Sequence, residues 1–352
     1  MEFEHVTFDL PHGTFHALQG GDPDGQPTLV LHGFPGHPPS ATPFLAELGR
    51  ALCTGFLLGG SMDSFARSIP FATTHTVQCE GLTFPVSAWG PAGGRPILLL
   101  HGFPQEPAAW APVAEALAHN GIQSFAPYQR GYLSSTRPKG PEGYSFVQFV
   151  ADALGIADGL GLKQFDVAGM GIGGAQAWML AAHHPTRVRS LTSIRFPHPA
   201  AFAHGMQLDP DQREKWRRLQ EQFGTGGPDV RAMRLLANNG AGLRKFLTEV
   251  GLGEPFLSRY VARLTEPGTL AGALSWEHSI SLEEFGKVPE VTVPTLLIWS
   301  EGPALARTTV EATRSIVRAP FTEVSIPNGS HFMLEKSPDA VVTPLRQHLQ
   351  SK

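Results

Sequence analysis

From residue 76 onward, short apolar runs alternate with stretches of helical spacing, and this alternation leaves few architectures open. Val77–Cys79 and Phe84–Trp89 read as strands, and Ala108–His119 as a helix. Ile97–Leu100 is a continuous apolar run, as a strand buried on both faces should be. Gln123–Ala126, Phe165–Ala168 and Leu191–Arg195 are further strands, separated by helices over Tyr144–Leu160 and Gly173–His184. Residues 200–285 then carry helical signals alone. The alternation resumes with strand Thr295–Trp299, helix Ala304–Val317, strand Glu323–Ile326 and helix Pro338–Leu349. Strands separated by helices predict an α/β fold with a mostly parallel sheet, and the helical block reads as an insertion.

The sequence also repeats itself once. Pro27–Pro35 (PTLVLHGFP) resembles Pro96–Pro104 (PILLLHGFP), 69 residues later, and Thr14-Phe15 matches Thr83-Phe84 at the same offset. One extra copy is not a solenoid, which needs about three repeats to bury a continuous core. The expected organisation is therefore an N-terminal extension over 1–75 that partly repeats the strand, HGFP and helix unit, a core over 76–199, a helical cap over 200–285, and the rest of the core over 286–352. Residues 1–75 would add strands and a helix to the sheet edge, to the cap, or across a homodimer.

Composition excludes several functions. A net charge of −4 gives no basic surplus to release counterions from a nucleic-acid backbone. No apolar run reaches the roughly 20 residues that span a bilayer. The opening MEFEHVTFDL has neither a basic nor an apolar segment of a secretory signal. Cys53 and Cys79 are too few for a disulfide framework and lie in no C-x-x-C spacing, so a reducing cytoplasmic setting is expected. His12 and His16 are four apart, but in a strand region where that spacing makes no helical ligand pair, so no metal is expected. No G-x-G-x-x-G follows a first strand, so no cofactor is implied. The 22 phenylalanines suit a bulky, flat, apolar small molecule as the binding partner.

Four motifs then carry a resemblance. They are His101-Gly102-Phe103-Pro104, Pro127-Tyr128-Gln129-Arg130-Gly131-Tyr132, Phe196-Pro197-His198-Pro199 and Gly329-Ser330-His331-Phe332. In this order and on these elements they resemble the α/β-hydrolase fold, in the branch of epoxide hydrolases and haloalkane dehalogenases, over residues 76–352. The resemblance implies a sharp turn from strand to helix that holds a nucleophile. It also implies an anion hole from the backbone N–H groups of Phe103 and Ile172, His331 as base, and an acid that orients it.

The departures from that pattern decide the functional reading. The turn reads Gly169-Met170-Gly171-Ile172-Gly173-Gly174, where the family has G-x-Nuc-x-G-G. Gly171 has no side chain, so no covalent intermediate can form there. Met170 replaces the usual His before the nucleophile. Glu301, in Trp299-Ser300-Glu301-Gly302-Pro303-Ala304-Leu305, is the carboxylate available to orient His331. Tyr260 is the one cap tyrosine, and Trp276-Glu277-His278 stands where a Trp-Tyr pair is expected. Arg195 is expected at a strand end facing the crevice, where a guanidinium could hold a carboxylate, phenolate or enolate. The ordinary alternative for Arg195 is a salt bridge with Asp166 or a cap acid. His101, Pro104, Met170, Tyr260, Trp276, Glu277 and His278 are the candidate substrate contacts.

These features favour a non-hydrolytic enzyme that uses proton transfer at His331 and oxyanion or enolate stabilisation. It would promote cyclisation, Michael-type C–C bond formation or elimination on an apolar natural-product intermediate, as in the nucleophile-free members of the fold in such pathways. Two alternatives stay open: an epoxide hydrolase inactivated at position 171, and a hydrolase-like binding protein. Within the N-terminal piece, Phe56–Asp63 resembles a strand followed by G-x-S-x, which offers Ser61 as a rival nucleophile, with His32 in the first HGFP.

Overall fold

The computed structural model describes residues 4–10, 13–19 and 72–350, apart from 139, 223, 301–304 and 328. The chain divides into two compact units, Met1–Ile69 and Pro70–Lys352. In the first, β1 (Glu4–Leu10) and β2 (Gly13–Gln19) form an antiparallel hairpin in which Phe8 pairs with Phe15.

The second unit is built on eight strands: β3 (Thr73–Cys79), β4 (Leu82–Trp89), β5 (Arg95–Leu100), β6 (Ile122–Pro127), β7 (Phe165–Met170), β8 (Val188–Ile194), β9 (Thr295–Trp299) and β10 (Phe321–Ser325). Their spatial order is β3-β4-β6-β5-β7-β8-β9-β10. β4 runs antiparallel to both its neighbours, and the other pairings are parallel. The central strands are apolar throughout because both faces are covered. On β5, Leu98 and Leu100 enter the core on one side of the sheet, and Ile97 and Leu99 the core on the other.

The helices follow the alternation. α1 (Ala111–Ala118) begins after a 3-10 turn at Pro107–Trp110, so the single helix expected over Ala108–His119 is two pieces. α2 (Phe146–Gly159) is capped by Ser145, whose hydroxyl accepts from the Gln148 N–H. α3 (Ile172–His183) is buried along most of its length. The described residues of 199–286 form six helices: α4 (Pro199–Leu208), α5 (Pro210–Gln222), α6 (Pro228–Glu249), α7 (Phe256–Leu264), α8 (Thr269–His278) and α9 (Leu282–Gly286). α6 is interrupted at Ala237–Gly240, where Asn238, Asn239 and Gly240 all take positive φ. The chain closes with α10 (Arg307–Arg314), α11 (Met333–Lys336) and α12 (Asp339–Gln350).

The helical block is fixed to the sheet domain by buried contacts. Trp276 of α8 stacks on Phe149 of α2, with ring centroids 3.6 Å apart, and its indole N–H donates to the Arg130 carbonyl at 2.7 Å. Arg130 is itself held by a buried, two-pronged ion pair with Asp152. The same helix lies so close to the Pro127–Tyr132 turn that a Cβ on Gly272 would stand 2.4 Å from the Gly131 carbonyl oxygen.

Candidate active site

Sheet order locates the crevice. β5 connects to β6 on one side, whereas β7 connects to β8 on the other, although β5 and β7 are neighbours. Loops leaving their C-terminal ends must diverge, which is where open α/β sheets bind ligands. The loop after β5 is His101–Pro104, with a cis Phe103–Pro104 bond, and the turn after β7 is Gly171. Arg195 follows β8, Ser300 follows β9, and His331 lies beyond β10.

The turn at Gly171 is sharp, with φ 54° and ψ −122°. Its N–H donates to the Ile194 carbonyl at 2.8 Å, and its carbonyl accepts from Gly174 N–H at 2.8 Å. The neighbouring glycines are needed for packing. A Cβ on Gly169 would lie 2.1 Å from the Gly173 carbonyl oxygen, and one on Gly173 would lie 2.5 Å from the carbonyl oxygens of Leu100 and His101. Gly171 is different: the nearest atom to an added Cβ is His331 Cε1, at 3.9 Å. Ile172 opens α3, and its first amides have no intrahelical acceptor, so this end of the helix favours negative charge.

His331 is half-buried, and its Nε2 lies 2.8 Å from the Phe103 carbonyl oxygen. A carbonyl only accepts, so Nε2 carries the proton and donates. Burial, and then the nearby charge of Arg195, lower the imidazole to about 4. His331 is therefore neutral at pH 7 and a weak proton acceptor.

β8 ends at Ile194, one residue before the expected end, and Arg195 takes φ 60°. Its backbone N–H still donates to the Ile298 carbonyl at 2.8 Å. The guanidinium donates through Nη1 to Ser300 Oγ and to the Gly329 carbonyl, the latter at 3.0 Å. Ser300 Oγ also donates to Gly329, at 3.0 Å. Arg195 thus ties the ends of β8 and β9 to the loop that carries His331. Burial lowers it to about 10, so it stays charged at pH 7. The alternative salt bridge with Asp166 is not made. Asp166 sits near the start of β7, where Arg95, Arg189 and Ser190 hold it. Glu301, and Ser61 and His32 of the first unit, lie outside the described residues.

Several candidate substrate contacts are committed to protein partners, which corrects their expected role. His101 is fully buried: its Nε2 accepts from the Gln129 N–H at 3.3 Å, its Nδ1 lies 3.1 Å from the Gly102 carbonyl, and burial lowers it to about 4. Met170 and Trp276 belong to the core, and Pro104 is buried in its turn. Tyr260 donates its hydroxyl to Glu335 at 2.7 Å and is fully buried. Glu277 pairs with the buried Arg231 at 3.0 Å, and His278 is exposed at the end of α8.

Sequence reading missed the residues just past the HGFP loop. Buried Glu106 accepts from Arg259, from Arg263 at 3.2 Å and from the Tyr128 hydroxyl at 3.2 Å. Gln105 donates to both Glu335 oxygens at 3.0 and 3.1 Å, and burial raises the Glu335 carboxyl. Together these pairs pin α7 onto the loop. The signal was the i, i+4 spacing of Arg259 and Arg263 opposite an acid with no local partner. Among the described residues, no group of three His, Cys, Asp or Glu could hold a metal, and no helix is long and apolar enough to cross a membrane.

Residues 95–338 match the family described as alpha/beta hydrolase fold. The chain is 29% identical over 292 residues to mouse epoxide hydrolase 4, covering 77% of this chain and 78% of that protein. It is 29% identical over 293 residues to the AB hydrolase superfamily protein YfhM of Bacillus subtilis, covering 78% and 97%. A solved epoxide hydrolase from hot-environment metagenomes superposes with a TM-score of 0.68 at 25% identity, over 80% of this chain and all of that one. The inhibitor-bound Bacillus megaterium epoxide hydrolase superposes with a TM-score of 0.69 at 21% identity, over 79% and 100%. The eight-stranded, mostly parallel sheet, the turn at Gly171 and the match over residues 95–338 agree, and the chain belongs to the α/β-hydrolase fold family.

Proposed function

We propose that this chain is a non-covalent enzyme on the epoxide hydrolase-like scaffold, acting on an apolar small molecule. The observation that carries the reading is Gly171: it stands at the sharp strand-to-helix turn with no side chain to attack a substrate, opposite His331. Gly171 would occupy the nucleophile position of the family. The N–H groups of Ile172 and Phe103 would hold a developing oxyanion or enolate at the head of α3. Negative charge gathering there would raise the proton affinity of His331, so the imidazole would become a competent base only as the reaction proceeds. Arg195 would add its charge and hold the His331 loop. Held in one orientation, such a substrate would close a ring, form a C–C bond or eliminate.

A second reading is supported by the names of the relatives: opening of an epoxide by water placed beside Gly171, or an epoxide hydrolase inactivated at position 171. Incubation with a panel of aryl and alkyl epoxides, read by mass spectrometry, separates the two. Diol formation by the unaltered chain, lost in His331→Ala, would favour epoxide opening. Diol formation that appears only in Gly171→Asp would favour an epoxide hydrolase inactivated at position 171. Stoichiometric ligand binding without product in either would favour a binding protein.

A further inference from the structure

Between buried residues of the sheet, α2, α3 and α8 lies a small void about the size of one water molecule. Gln129, Arg130, Asp152, Gln176, Leu100 and Trp276 are among the residues that line it, and all are buried. Two side-chain oxygens of these lining residues lack a partner: Oε1 of Gln129, whose residue is 4% exposed, and Oε1 of Gln176, whose residue is 2% exposed. Amide flips cannot repair this. Gln129 Nε2 donates to the His101 carbonyl at 2.6 Å and Gln176 Nε2 donates to the Phe149 carbonyl at 2.6 Å, so exchanging N and O would set oxygen against oxygen at both.

We propose that one buried water molecule is built into this void, donating one hydrogen to Gln129 Oε1 and the other to Gln176 Oε1, and that it couples the HGFP loop to the turn at Gly171. Gln129 grips His101 through its side chain and its backbone N–H, and so controls where the loop to Phe103 begins. Gln176 lies on α3, one turn after Ile172. The water would therefore join the two backbone segments that present the candidate anion hole. A water molecule suits the void better than a cation, because the lining pair Arg130 and Asp152 already balance each other's charge. It also suits two acceptors, since water brings two donors. The inference does not depend on which reaction the chain performs.

A high-resolution crystal structure of the full chain tests it first. One density peak at about 2.7–3.2 Å from both oxygens is expected. An empty void, or glutamine side chains turned to other partners, overturns it. A double-mutant cycle with Gln129→Met and Gln176→Met, read as the urea unfolding equilibrium constant, tests the coupling. The cycle cancels the separate loss of each Nε2 hydrogen bond. A coupling factor of about 3- to 10-fold is expected, and strictly additive effects overturn the bridging role.

Discussion

Alanine placed at Gly169 and at Gly171 should have very different consequences, although the two positions are two residues apart in one turn. At Gly169 the added Cβ would meet backbone atoms: the Gly173 carbonyl oxygen at 2.1 Å, its carbon at 2.5 Å and the Gly174 nitrogen at 2.7 Å. No rotamer change relieves such contacts, because they belong to the first turn of α3. Relief would require that turn to move by more than an ångström, against a helix buried on both sides. The expected cost is at or above the upper end of overpacking, about 3 kcal/mol. At Gly171 there is room, since His331 Cε1 at 3.9 Å is an ordinary contact. The cost there is the backbone conformation alone, about 1–3 kcal/mol for a side chain held at φ 54° and ψ −122°. Stiffening of the unfolded chain returns about 0.4–1 kcal/mol. A net loss of about 1–2 kcal/mol follows, so Gly171→Ala should remain folded. Urea unfolding followed by the tryptophan fluorescence of the chain measures both variants. The unfolding constants should differ by at least about fivefold. Equal losses would mean that the space beside Gly171 is not there and that the turn has no room for a side chain.

Three further outcomes are expected. Gly171→Asp should place a carboxylate beside His331 and raise its imidazole from about 4 toward the ordinary 6.5; an unmoved titration, followed by NMR of the ring, would contradict the geometry. Glu106→Gln should cost about 1–3 kcal/mol, because Arg259 and Arg263 lose the buried negative charge and one of its two acceptor oxygens, and the NH2 that replaces it cannot accept; a loss below about 0.5 kcal/mol would make the latch equivalent to a surface pair. Acid should destabilise the fold through its neutral, buried histidines. His198 is lowered to about 4 by burial, so its contribution is complete above about pH 6.5 and is lost as pH falls through 4, about 3 kcal/mol in all. Buried Asp152 and half-buried Glu277 and Glu335 are raised by desolvation and act in the opposite sense, so the clean measurement is the difference between wild type and His198→Asn. A difference that is constant between pH 4 and 7 would refute the assignment.

The alternation of strand and helix was legible because its cause is local. A strand covered on both faces has to be apolar throughout, and Ile97–Leu100 and Thr295–Trp299 show this without reference to any neighbour. The glycines of the turn were legible for a related reason, since the steric demand of a tight strand-to-helix turn is written in the residues that make it. Pairings across the chain were not legible. Glu106 reaches α7 more than 150 residues away, and Tyr260 meets Glu335 rather than a ligand. Trp276 and His101 looked like site residues, but burial and hydrogen bonding assign them to the scaffold.

Sequence by itself determined the α/β architecture, the strand-to-helix turn and the absence of an attacking side chain at Gly171, because each follows from residue type and spacing within a few positions. Tertiary structure alone decided that Arg195 braces the His331 loop, that His331 is neutral, and that α7 is latched to the HGFP loop. Those properties arise from burial and from the distance between groups remote in the chain, which spacing along a sequence does not encode.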